Sequence, residues 1–168
     1  MTKDTPVTYF EAPDTLRKRV IGAGGKTREQ AVRDAAVQIA KISADADAGI
    51  AAAIATIETI AAPGGDLTEE SLKDILMSAE RILSLAAAFN NQRLQAVAQS
   101  LGELGSIFLT AGKGSADAIG VHAQAAKLFS RHGGPEIPEA VIDTVLVELA
   151  RVRGHFFGRT ANRAGGAL

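Results

Sequence analysis

The chain has 168 residues, 46% of them hydrophobic, with 18 Lys and Arg against 19 Asp and Glu; that length and apolar fraction fit one domain with a real core rather than a disordered chain. It has no Cys and no Trp, and aromatics make up only 4%, which excludes a disulfide framework and a thiolate metal site and speaks against a base-stacking surface. Alanine dominates the apolar residues, favouring helices whose backbones pack closely.

Residues 1–26 read as an extended, flexible lead. Pro6 and Pro13 obstruct a helix there, and Gly22, Gly24 and Gly25 make a break; a short turn from Asp14 to Val20 would dock Leu16 on Val20. Thr27 then opens a long first helix, with Gln30 placed to complete a capping box. Val32, Ala35, Ala36, Ile39, Ile42, Ala46, Ile50, Ile54 (or Ala53), Ile57 and Ile60 follow in 3-and-4 spacing, close to a heptad repeat. The helix is expected to end near Ala62, before Pro63-Gly64-Gly65. At ~1.5 Å per residue it would span about 50 Å, long for this chain, so a kink near Gly49 or an exposed overhang is expected.

Asp66 reads as the next N-cap, with Glu69 three residues on. Leu72, Ile75, Leu76, Ala79, Ile82, Leu83 and Ala86 form the second stripe, which stops at Asn90-Asn91. The third stripe is Leu94, Val97, Ala98, Leu101, Leu104 and Phe108, closed by Gly112-Lys113-Gly114. Ser115 caps a fourth helix with Ile119, Ala125, Ala126 and Phe129 inward, ending at Gly133-Gly134-Pro135. Pro138 suits the first turn of a fifth, lined by Val141, Val145, Leu149, Val152 and Phe156. Residues 158–168 read as a flexible basic tail. No stretch alternates with period 2. The expected fold is therefore all-α: an up-and-down bundle over residues 27–157, with about five helices, a four-helix core and a long first helix.

Charge is unevenly placed. Arg17, Lys18, Arg19, Lys26 and Arg28 form a basic block near the N-terminus, and Arg151, Arg153, Arg159 and Arg163 a second near the C-terminus. Between Glu29 and Glu148 lie 16 acids and 8 bases. Solvated charge drawn to an acidic body is the plain reading, and basic arms for an acidic partner the sharper one. No helix carries a continuous basic stripe, so nucleic acid is not an expected partner. Neither a signal-peptide run nor ~20 successive apolar residues occurs. A cytoplasmic protein without membrane insertion is the expectation.

Few residues suggest chemistry. Gly22-Ala23-Gly24-Gly25-Lys26-Thr27 ends like a phosphate-binding loop, but the position of that loop's first glycine holds Val20 and no strand precedes it. A hinge followed by an N-cap explains it better, and no cofactor is expected. His132 and His155 lie at helix ends without ligand spacing to another His or acid, so no metal is expected. Paired acids such as Glu69-Glu70 fit a solvated helix surface. His122 lies within the fourth helix. As a surface phosphoacceptor it would need a nearby cation to steady phosphoryl oxygens, with Lys127 the nearest in sequence; otherwise it is a half-buried histidine in line with Ile119 and Phe129. No Gly-x-Ser-x-Gly elbow or ordered Ser–His–acid set appears, so catalysis is not expected.

The segment Ser84-Leu85-Ala86-Ala87-Ala88-Phe89, then Asn90-Asn91, then Leu94, Ala98 and Leu101, resembles the core of histidine phosphotransfer (Hpt) domains. With Gly24-Gly25-Lys26-Thr27 opening the long helix and Val121-His122 in a later one, the layout over residues 16–157 is similar to Hpt-like, CheE-type proteins of alphaproteobacterial chemotaxis and two-component systems. The Hpt pattern His-x-x-Lys-Gly, aligned on Phe89, falls on Glu80, Leu83 and Ser84. A carboxylate cannot form a stable phosphoramidate, and Leu83 offers phosphate no charge. The resemblance therefore implies a degenerate member: a non-catalytic adaptor that docks a response-regulator receiver domain or a histidine kinase through a helix face. Two further readings stand beside it. One is active phosphotransfer through His122; the other is a homodimer or larger homo-oligomer built on the first helix.

Overall fold

A computed structural model describes residues 25–62, 67–130 and 137–164, with side chains described to residue 158. Five helices and no strand occur among them: α1 (Arg28–Ile60), α2 (Glu69–Ala88), α3 (Gln92–Ala111), α4 (Ala116–Phe129) and α5 (Glu139–Ala164). The all-α bundle is thus what the stripes build. No described helix is long and apolar enough to cross a membrane. The expectations for the lead up to Gly24, for Asp66 and for the glycine break after His132 lie outside the described residues.

Helix starts follow local chemistry. Thr27 and Gln30 form the reciprocal box: Gln30 N–H donates to Thr27 Oγ1 at 3.2 Å and Thr27 N–H to Gln30 Oε1 at 3.0 Å. Ser115 caps α4 by accepting from Ala118 N–H. The cap of α2 is Thr68, whose Oγ1 accepts from Ser71 N–H at 3.1 Å, two residues later than Asp66 suggested. The later start leaves Leu67 ahead of the helix, packed against Gly114, where a Cβ would stand 2.6 Å from Leu67 Cδ1. At α5, Pro138 precedes the helix, its carbonyl accepting from Val141 and Ile142 N–H.

Two tight reversals need special backbone. Asn90, at φ 54°, turns the chain between α2 and α3, a left-handed conformation that asparagine tolerates better than most residues. Gly112, at φ 62°, closes α3. Asn91 then works twice. Its Oδ1 accepts from Leu94 N–H at 3.1 Å to cap α3, and its Nδ2 donates to the carbonyl of Phe129 at 3.0 Å, fastening the far end of α4.

The boundary between the chain's two compact units falls inside α1, after Ala40. In the second unit, α3 lies against α2, α4 and α5. Its Leu94, Val97, Leu101, Leu104 and Phe108 are buried among Ile75 and Ile82 of α2, Ile119 of α4 and Leu149 of α5. Phe108 meets Phe156 edge-to-face at 4.9 Å between ring centroids. Each fully buried Leu or Ile contributes roughly 1.5–3 kcal/mol of transfer free energy, so this core outweighs the caps that frame it. The C-terminal half of α1 adds Ile50, Ala53, Ile54 and Ile57. It approaches α2 closely at Gly49, where a Cβ would lie 3.1 Å from Leu85 Cδ1.

Of the alternatives for the long first helix, exposure is what its first half shows: Val32, Ile39 and Ile42 are 62, 64 and 58% exposed. Two expectations need correction. In α5 the inward residue is Ile142, while Val141 is exposed; adjacent apolar residues leave the phase of a stripe ambiguous. Finally, α5 runs through Gly158 to Ala164, beyond the expected break at 158. A helical glycine costs only about 1 kcal/mol relative to alanine, which does not suffice to stop a helix.

Because Asn91 serves both a cap and an inter-helix bond, Asn91→Ala is expected to lower stability by about 2 kcal/mol, one for the cap and one for the orphaned carbonyl. Thr68→Ala, which removes a cap alone, should cost about 1 kcal/mol. Urea unfolding followed by far-UV circular dichroism measures both.

Candidate functional site

An open groove of about 840 Å³ lies between α2, α3 and α5. Small residues make it: Ala79 on α2, Ala98 and Gly102 on α3, and Ala150 and Gly154 on α5 leave room where larger side chains would meet. A Cβ at Gly102 or Gly154 would touch nothing. Leu76, Leu83 and Ile107 supply apolar surface, and the exposed Phe157 stands at the rim.

Charge sits on the walls. Arg153 of α5 bonds Glu103 of α3, and Gln99 Nε2 donates to the other oxygen of Glu103 at 3.2 Å. Glu80 of α2 contributes a second carboxylate, so the groove holds two carboxylates and one guanidinium. Glu80 is exposed and Leu83 half-buried; both lie just before Ser84, and both line this groove. Sequence reasoning singled out Glu80 and Leu83 but not their meeting with Glu103 and Arg153, which depends on how three helices pack.

Behind the groove, Gln99, Ala150 and Arg153 also border a smaller cavity of about 230 Å³, together with Ser100, Leu146 and Leu149. Ser100 leads to His122. The imidazole is fully buried. Its Nδ1 lies 2.8 Å from the carbonyl of Ala118, one helical turn back, and its Nε2 3.1 Å from Ser100 Oγ. A carbonyl can only accept, so the proton of the neutral ring sits on Nδ1, and Nε2 accepts from the Ser100 hydroxyl. Burial pushes the His122 pKa below the ordinary histidine value; the Arg153 charge acts in the same direction, and the Ala118 carbonyl opposes both.

This geometry corrects the reading of His122 as phosphoacceptor. No part of the ring reaches the surface where a donor's aspartyl phosphate would approach, and both nitrogens are engaged. Nor is Lys127 beside it. Its Nζ pairs with Glu58 of α1 at 3.0 Å, next to Gln124, which donates to the same oxygen at 3.0 Å. These two residues fasten α4 to α1. Among the described residues no three His, Asp or Glu side chains converge as metal ligands. His155 stacks edge-to-face on Phe156 at 5.3 Å, and His132 lies outside the described residues.

The buried, neutral His122 makes stability depend on pH. The unfolded chain takes up a proton at this residue near pH 6.5, whereas the folded chain resists it, so stability is complete above about pH 6.5 and falls as pH drops through the lower folded value. His122→Gln keeps an amide donor and acceptor but does not titrate. Urea midpoints between about pH 5 and 7 should fall less with acid in this variant than in the wild type.

Comparison with protein-family models, with characterised proteins and with solved structures finds no match.

Proposed function

We propose that this chain is a non-catalytic helical adaptor of bacterial two-component or chemotaxis signalling, binding a response-regulator receiver domain across the α2–α3–α5 groove. One observation carries the reading: Glu80, at the position where the Hpt resemblance puts the phosphoacceptor, lies on the wall of the apolar groove between α2, α3 and α5. A carboxylate there retains a docking face and gives up the phosphoryl relay. The lining fits a protein partner better than a small substrate. Its surface is mostly aliphatic, and its charged groups come from three helices rather than being gathered around one reacting atom. The excess of carboxylate over guanidinium favours a partner that offers a Lys or Arg opposite Glu80.

Titration of the purified chain against a panel of receiver domains, with and without beryllofluoride, tests the proposal. Binding to at least one of them is expected. Gly102→Leu, whose Cβ would meet nothing within 4 Å and whose branched end would project into the groove, should weaken that binding at least ~10-fold, about 1.4 kcal/mol, and leave the unfolding midpoint nearly unchanged. Binding that is absent for every receiver, or indifferent to Gly102→Leu, overturns it.

A further inference from the structure

The first half of α1 presents an apolar stripe that the described chain does not cover. Val32, Ile39 and Ile42 are each more than half exposed, and with Ala35 they fall at the a and d positions of a heptad register beginning at Val32. The flanks of this seam are neutral. The e and g positions between residues 31 and 43 are Ala31, Ala36, Gln38 and Ser43, while Arg33, Asp34 and Lys41 occupy outer positions. A seam without flanking charge has no like-charge barrier to pairing with itself. Its ends carry net charge of opposite sign: Lys26 and Arg28 outweigh Glu29 at the start of the stripe, and Asp45 and Asp47 stand where the covered part of α1 begins.

We propose that this stripe pairs with the same stripe of a second copy, antiparallel. In that direction Ile39 packs against the small Ala35 of the second copy and Ile42 against its Val32, so large and small side chains alternate across the seam. In this register position 45 is level with position 29, so Arg28, at the positive end of the helix dipole, comes within one residue of level with Asp45. A parallel pair would instead set Arg28 on Arg28 and Asp45 on Asp45. The inference is independent of the adaptor reading, because it uses none of the residues that line the groove.

The chain has no cysteine, so single spin labels report on the pairing cleanly. Sedimentation equilibrium up to about 100 μM, where a small interface of this kind is populated, should show a monomer–dimer equilibrium. Ile39→Lys alters an exposed position and should abolish the dimer without lowering helicity. Arg28→Glu and Asp45→Arg should each weaken it several-fold, and the two together restore it. In dipolar spectroscopy, a label at Gln38→Cys should give a short distance. A label at Glu29→Cys should give one of at least about 24 Å, since 16 residues separate the paired levels at ~1.5 Å each. A monomer throughout the range, two short distances, or a dimer that survives Ile39→Lys overturns the proposal.

Discussion

Everything in the second unit depends on α3 being enclosed by three other helices. Most polar residues of α3, among them Arg93, Gln99, Glu103 and Thr110, turn to water, but not all of them do. Its Ser100 falls inside, and a buried hydroxyl without a partner costs more than the bond itself would return. His122 of α4 supplies the partner, and the carbonyl of Ala118 completes the ring's own needs. No buried side-chain nitrogen or oxygen among the described residues is left without a hydrogen bond. The pair fixes the relative rotation of α3 and α4 in a way that aliphatic contacts alone, which tolerate sliding, would not.

Close approach is the second theme. With no Trp and few other aromatics to fill space, the helices meet through alanine and glycine. At Gly49 and Gly105 an added Cβ would stand 3.1 Å from Leu85 and 3.0 Å from Leu76, so these glycines let leucines seat against backbone. The same economy opens the groove elsewhere: where small residues of three helices face one another, space remains. Packing and cavity come from one composition, differing only in which residue stands opposite.

How much of this was legible in the sequence varies with the physics involved. Helix existence and most core positions follow from spacing alone, because burying a stripe is the dominant gain in free energy. The Thr27–Gln30 box and the Ser115 cap were equally readable, since both are local hydrogen bonds. The start of α2 was not. Asp66 and Thr68 are both of good capping type, and the spacing of the stripe does not choose between them. Exposure of Val32, Ile39 and Ile42 was also invisible as burial, since a heptad looks the same whether its cover is present or absent. The groove left no signal, because its alanines and glycines are scattered over three helices and mean nothing until those helices cross. His122 shows the converse. Its plain reading as a core histidine points the right way, but its partner Ser100 lies on another helix and only the fold brings them together.

The direction of that buried contact restricts what position 100 can hold. With the imidazole proton committed to the main chain, Nε2 presents a lone pair, and whatever stands opposite must give a hydrogen rather than receive one. Shape is secondary to this polarity. Alanine would fit the volume and valine would approximate the outline, yet either would strand a nitrogen in an apolar interior. The requirement is chemical, and it makes an unremarkable serine in mid-helix one of the least exchangeable residues of the bundle.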